Sequence, residues 1–90
     1  MADDPLAALR GRFRDRAAET AARLRAHLAG DEEPDLERLV HSLAGAATMF
    51  GHAELGEAAL AADSTFAAGG RPTPETLADL ARRLERLPIP

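Results

Sequence analysis

The sequence predicts an all-α fold, an antiparallel up-down-up-down four-helix bundle, and three observations carry that expectation. Apolar residues recur at steps of three and four in four separate segments, and no run alternates at period two. The segments are parted by helix stops and starts made of Gly, Pro, Asp and Thr. The links between them are short, which makes consecutive helices antiparallel neighbours.

The first helix is expected from about residue 5 to about residue 29. Asp4 is placed as its N-cap and Pro5 at its first position, with Leu6, Leu9, Phe13, Ala17, Leu24 and Leu28 along one stripe. Gly11 costs about 1 kcal/mol relative to Ala in a helix interior, so it can bend the helix or set off a short N-terminal helical extension. Gly30 ends this helix, and Asp31-Glu32-Glu33-Pro34 brings negative charge to the start of the next. The second segment, Asp35 to Phe50, aligns Leu36, Leu39, Val40, Leu43, Ala47 and Phe50 and stops at Gly51. The third, from about Ala53 to Ala68, aligns Leu55, Ala59, Ala62 and Phe66 before Gly69-Gly70. Thr73-Pro74-Glu75 supplies an N-cap, a first-position proline and an acidic first turn for Leu77, Leu80, Ala81 and Leu84, and Pro88 and Pro90 close the chain. Ala contributes little buried area per residue, so Phe13, Phe50, Phe66 and the Leu set are expected to dominate the core.

With 90 residues the chain is expected to form one domain, 1–90, too small for a doubly wound nucleotide-binding fold. The absence of Cys excludes disulfides and thiolate metal sites. No apolar run approaches the roughly 20 residues that span a bilayer, and MADDPLAALR lacks the basic start of a secretory signal. A soluble, cytoplasmic, free-standing protein with no membrane partner is the expectation. Eleven basic residues against fifteen acidic leave a net charge of −4, which argues against a nucleic-acid partner.

At 100° per residue, the apolar stripe of the second helix centres on Leu36, Leu43 and Ala47, and His41 lies roughly 140° from that centre. Its imidazole should face solvent. Arg38, Gly45 and Thr48 fall on the same outer face. Gly45 costs stability in mid-helix, and its missing Cβ leaves a shallow gap beside His41 through which another surface can approach. With a reference pKa near 6.5, an exposed imidazole is substantially neutral at pH 7 and offers a lone pair without a dedicated base.

The run from His41 to Gly51, HSLAGAATMFG, followed by Leu55 and Asp63, resembles the signature helix pair of histidine-containing phosphotransfer (HPt) domains. In that family a His is followed by an apolar residue two later, usually a Lys three later, a Gly four later, a second Gly ten later and a Leu four beyond. The resemblance implies a phosphorelay intermediate. His41 would be the phosphorylated nucleophile, attacking through Nε2. Gly45 would be the clearance for a docking response-regulator receiver domain, Gly51 the turn into the next helix and Leu55 part of the structural motif. Ala44 stands where the family usually has Lys, and Arg38, one turn upstream, is the nearest substitute cation. Thr48 completes the expected docking or phosphate-environment set. The implied partners are receiver domains and a histidine kinase system, with Mg²⁺ supplied by the receiver and no cofactor, ATP site or autonomous kinase activity in this chain. A monomer is expected, since one chain supplies all four helices.

Two other readings compete. One is an interaction module of the same fold that docks receivers or a kinase without carrying phosphate, which Ala44 keeps open. The other is a helical adaptor in which His41 is incidental. Among the remaining singular residues, His27 reads as partly packed at the edge of the first stripe and His52 as decoration at a helix start. Metal binding by His41 and His52 lacks further ligands. Arg10, Arg12, Arg14 and Arg16 read as a solvated face. Met49 reads as a core or helix-end filler, and Leu60 as either a packing contact or part of an apolar docking patch.

Overall fold

The computed structural model describes residues 5–87. It is a four-helix bundle with α1 Ala7–Leu28, α2 Leu36–Met49, α3 Ala53–Ala67 and α4 Pro74–Glu85. No strand occurs among the described residues. Each helix buries one stripe into a shared core. Leu24, Val40 and Leu80 are its largest fully buried side chains, and Phe13, Leu36, Leu43, Leu55, Leu77 and Leu84 complete the bulky part. Truncating a residue such as Leu24 to Ala costs roughly 3 kcal/mol, a large share of the stability of a domain this small.

Pairing is antiparallel. The end of α1 and the start of α4 line one small cavity through His27, Leu28, Pro74 and Leu77, while Arg83 near the end of α4 pairs with Glu54 at the start of α3. Phe13 of α1 meets Phe50 at the close of α2, with ring centroids 5.2 Å apart. Arg25 joins α1 to α4 through Glu85, and Arg23 holds Glu33 of the first link in a two-bond ion pair.

Several expectations shift in detail. Asp4, Pro88 and Pro90 lie outside the described residues. The first helical residue is Ala7 rather than Pro5, with Leu6 at the cap position and no side-chain cap. The helix runs unbroken through Gly11, and its first buried side chain is Phe13. Leu6 and Leu9 therefore belong to an exposed leading turn instead of the core. Phe50 and Phe66 pack only partly against the core, because Phe50 is the C-cap of α2 and Phe66 lies in the last turn of α3. Thr73 caps α4 as its hydroxyl oxygen accepts the Thr76 N–H at 3.2 Å, with Pro74 at the first position.

Candidate functional site

The α2–α3 hairpin positions the site, and Gly51 makes the hairpin. Its φ of +81° is the left-handed conformation that a Cβ penalises. The Gly51 N–H donates to the Thr48 carbonyl and the His52 N–H to the Ala47 carbonyl, at 3.2 and 2.9 Å, closing α2 with a Schellman motif. The chain then turns into α3 after a three-residue link, 50–52. The facing surfaces are built from small residues: Ala44, Ala47 and Thr48 on α2, and Gly56, Ala59 and Ala62 on α3. Gly56 is the point of closest approach. A Cβ there would lie 2.8 Å from Thr48 Oγ1, which itself donates to the Ala44 carbonyl at 3.0 Å.

This register brings His41 and Asp63 together. His41 Nδ1 and Asp63 Oδ2 are 3.0 Å apart, with the histidine side chain 75% exposed and the aspartate 19%. The Asp63 carboxylate accepts a hydrogen bond from Nδ1–H and lies within reach of its charge, and the two effects hold the imidazole pKa above its ordinary value. Slight desolvation opposes them, and Glu37, one turn earlier on α2, adds to them more weakly. The expectation of an imidazole at its reference pKa is therefore corrected upward. A second consequence concerns tautomer. With Nδ1–H committed to Asp63, Nε2 carries the lone pair of the neutral ring and has no hydrogen-bond partner among the described residues.

The other candidate residues are distributed around this pair. Gly45 is exposed, and a Cβ built on it would meet no atom within 4 Å. Arg38 is also exposed, but it lines the groove of about 350 Å³ between α1 and α2, beside Arg16, Leu39 and Ser42. Ala44 is buried, 8% exposed, on the side of α2 that faces α3. Thr48 borders solvent while its hydroxyl rests against Gly56, and Leu55 lies in the core. Met49 is 77% exposed, so it fills neither the core nor the helix end. Leu60 is 56% exposed. It lies one turn from Gly56 and one turn from Asp63 along the same edge of α3, and so is level with Gly45.

His52 does more than decorate a helix start, since its ring stacks on Phe13 with centroids 5.2 Å apart and planes 14° from parallel. His27 is half-buried, as expected, and its Nδ1 is buried with no hydrogen-bond partner. Arg12 and Arg16 are exposed and Arg14 half-buried, the pattern of charges spread around a helix. Among the described residues no group of three or more His, Asp or Glu side chains is placed to hold a metal ion. None of the described helices is long and apolar enough to cross a membrane.

Fold and site together define a small helical bundle that exposes one imidazole, aligned by a carboxylate from the adjoining helix. The Hpt domain family model matches residues 8–88, and the chain belongs to that family. No curated protein and no solved structure matches it. Hpt domains take part in phosphorelay signalling, working with the response regulators and histidine kinases of two-component systems.

Proposed function

We propose that this Hpt domain is a phosphorelay intermediate in which His41 accepts a phosphoryl group from the aspartyl phosphate of a response-regulator receiver, or of a hybrid kinase's receiver, and passes it to another receiver Asp. The observation that carries this reading is the Asp63-held, solvent-facing His41 ring, which has Nε2 unengaged. The Nε2 lone pair attacks phosphorus, and the P–O bond to the acyl oxygen breaks with its electrons returning to the carboxylate. The ring becomes an Nε2-phosphoimidazolium that keeps the proton already on Nδ1. No base is needed in either direction, because the proton stays where Asp63 holds it. Such a sparse site suffices, since phosphoryl transfer asks mainly for positioning and charge stabilisation. The receiver supplies the Mg²⁺.

The receiver docks across the outer edges of α2 and α3, where the gap at Gly45 and the exposed Leu60 border His41. The domain works as a cytoplasmic monomer. A phosphorylated receiver should transfer an acid-labile, alkali-stable label to the protein. His41→Ala should abolish that label while circular dichroism shows helicity retained, and labelling that survives the substitution would refute the reading. The buried Ala44, standing where a cation is usual, favours one alternative: a module that binds receivers without accepting phosphate. Receiver binding with no label in the same experiment would select it.

A further inference from the structure

The two carboxylates nearest His41 have a consequence for what happens after phosphorylation. Asp63 contacts Nδ1 from α3, and Glu37 stands one turn before His41 on an exposed part of α2. The charged groups on the other side of α2 turn elsewhere. Arg38 faces the α1–α2 groove, whose opposite wall carries Arg16, Glu19 and Arg23, and Arg23 is already paired with Glu33. Position 44, where a cation could follow the α2–α3 seam, is a buried alanine. Among the described residues, the charged groups that act on the His41 ring are therefore the carboxylates of Asp63 and Glu37.

Resting on the reading of His41 as the phosphorylated residue, we infer that Asp63 and Glu37 are positioning residues that make phospho-His41 short-lived, a donor of phosphate and not a store of it. Leaving-group quality sets that lifetime. When an Nε2-phosphoimidazolium loses its phosphoryl group, the P–N electrons return to Nε2 and a neutral imidazole departs. If Nδ1 had lost its proton first, the departing group would be an imidazolide anion, which is far poorer. A carboxylate 3.0 Å from Nδ1 favours the protonated ring and so preserves the good leaving group to higher pH. The raised pKa of the unphosphorylated ring has the same cause. Glu37 acts in the same direction on the ring, and it also repels the dianionic phosphoryl group across roughly one helical turn. In hydrolysis a water oxygen takes the phosphorus, the P–N bond breaks, and the water proton passes to solvent.

The experiment phosphorylates the intact chain with phosphoramidate and follows phosphohistidine decay by ³¹P NMR between pH 6 and pH 10. Asp63→Asn keeps the shape but can donate an amide N–H to an unprotonated Nδ1. It should lengthen the half-life about fivefold near pH 8 and move the pH at which decay slows downward by up to about one unit, a tenfold change in protonation. Glu37→Lys, at an exposed position, should lengthen it about twofold. A purely structural role for either residue would not shift the pH profile. Half-lives and profiles equal to the unsubstituted chain in both variants would overturn the inference while leaving His41 as phosphoacceptor intact. Failure of every variant, and of the unsubstituted chain, to form phosphohistidine would instead overturn the proposed function on which it rests.

Discussion

Thr48 Oγ1 lies 2.8 Å from the point a Cβ on Gly56 would occupy, so the α2–α3 seam closes on a glycine and a larger residue there forces Thr48 or the helices to shift. Gly56→Ala removes about 1 kcal/mol of glycine penalty in a helix but forces Thr48 to give up its bond to the Ala44 carbonyl or the helices to part. The expected net effect is a loss of roughly 1 kcal/mol. In a Thr48→Ala background the obstructing oxygen is gone, and the same change should become neutral or stabilising. Urea denaturation of the two single variants and the double variant gives the coupling, expected at about 1–2 kcal/mol. Additive effects would mean that the two residues do not share the contact.

Gly45 gives the opposite result with the same substitution logic, because nothing lies within 4 Å of its virtual Cβ. Gly45→Leu should raise stability by about 1 kcal/mol. For a domain of this size that corresponds to a melting temperature about 4–8 °C higher. If the receiver approaches through this gap, transfer to His41 should slow by about tenfold or more, a cost of at least roughly 1.4 kcal/mol in the docked transition state. A stabilised variant with unaltered transfer would move the docking face elsewhere.

The helices were legible because Leu and Val at helical spacing leave little choice of face, and because Gly30, Gly51 and Gly69 announce helix ends that the structure closes with positive φ. The start of α1 and the depth of Phe50 and Phe66 were not, since both depend on where neighbouring helices stop. Leu9 is exposed, and Phe50 and Phe66 sit at the margins. The outward direction of His41 followed from its angle to the core stripe. Its partner was harder to see. Asp63 stands in the sequence only as the acidic residue that follows the HPt-like run, and its pairing with His41 emerges once the hairpin register is known: seven residues back from Thr48 is His41, and seven forward from Gly56 is Asp63. A buried glycine on α3 and a short link were the signals that could have set that register. The burial of Ala44 depends on the same close seam.

The His41–Asp63 contact has a pH signature in the unphosphorylated protein. The imidazole should titrate above its reference value of about 6.5, as followed by the ring proton shifts in NMR, and Asp63→Asn should return it toward that value. Because the folded-state pKa is raised, the ionic part of this stabilisation is fully present below the unfolded value and is lost as pH rises through the folded one. The difference in melting temperature between the unsubstituted chain and Asp63→Asn should therefore be larger near pH 5.5 than near pH 9. A difference that grows with pH would contradict a charged pair.

Ala44→Lys restores a cation at the one position where the family's usual residue is missing, yet the geometry makes it an uneven exchange. The side chain starts 8% exposed between α2 and α3, so the aliphatic stem must run outward along a seam already filled by small residues. A loss of stability of roughly 1–2 kcal/mol is expected, read from circular dichroism melts. The ammonium would emerge one turn after His41, where it neutralises part of the phosphoryl charge and opposes protonation of the ring. Phosphohistidine decay should then slow by at least about twofold, in a protein that melts earlier. Thermal stability and phosphoryl lifetime thus move in opposite directions in this variant, which separates an electrostatic effect on the site from general tightening of the bundle. An unchanged decay rate would count against the missing cation as a determinant of how long the phosphoryl group stays.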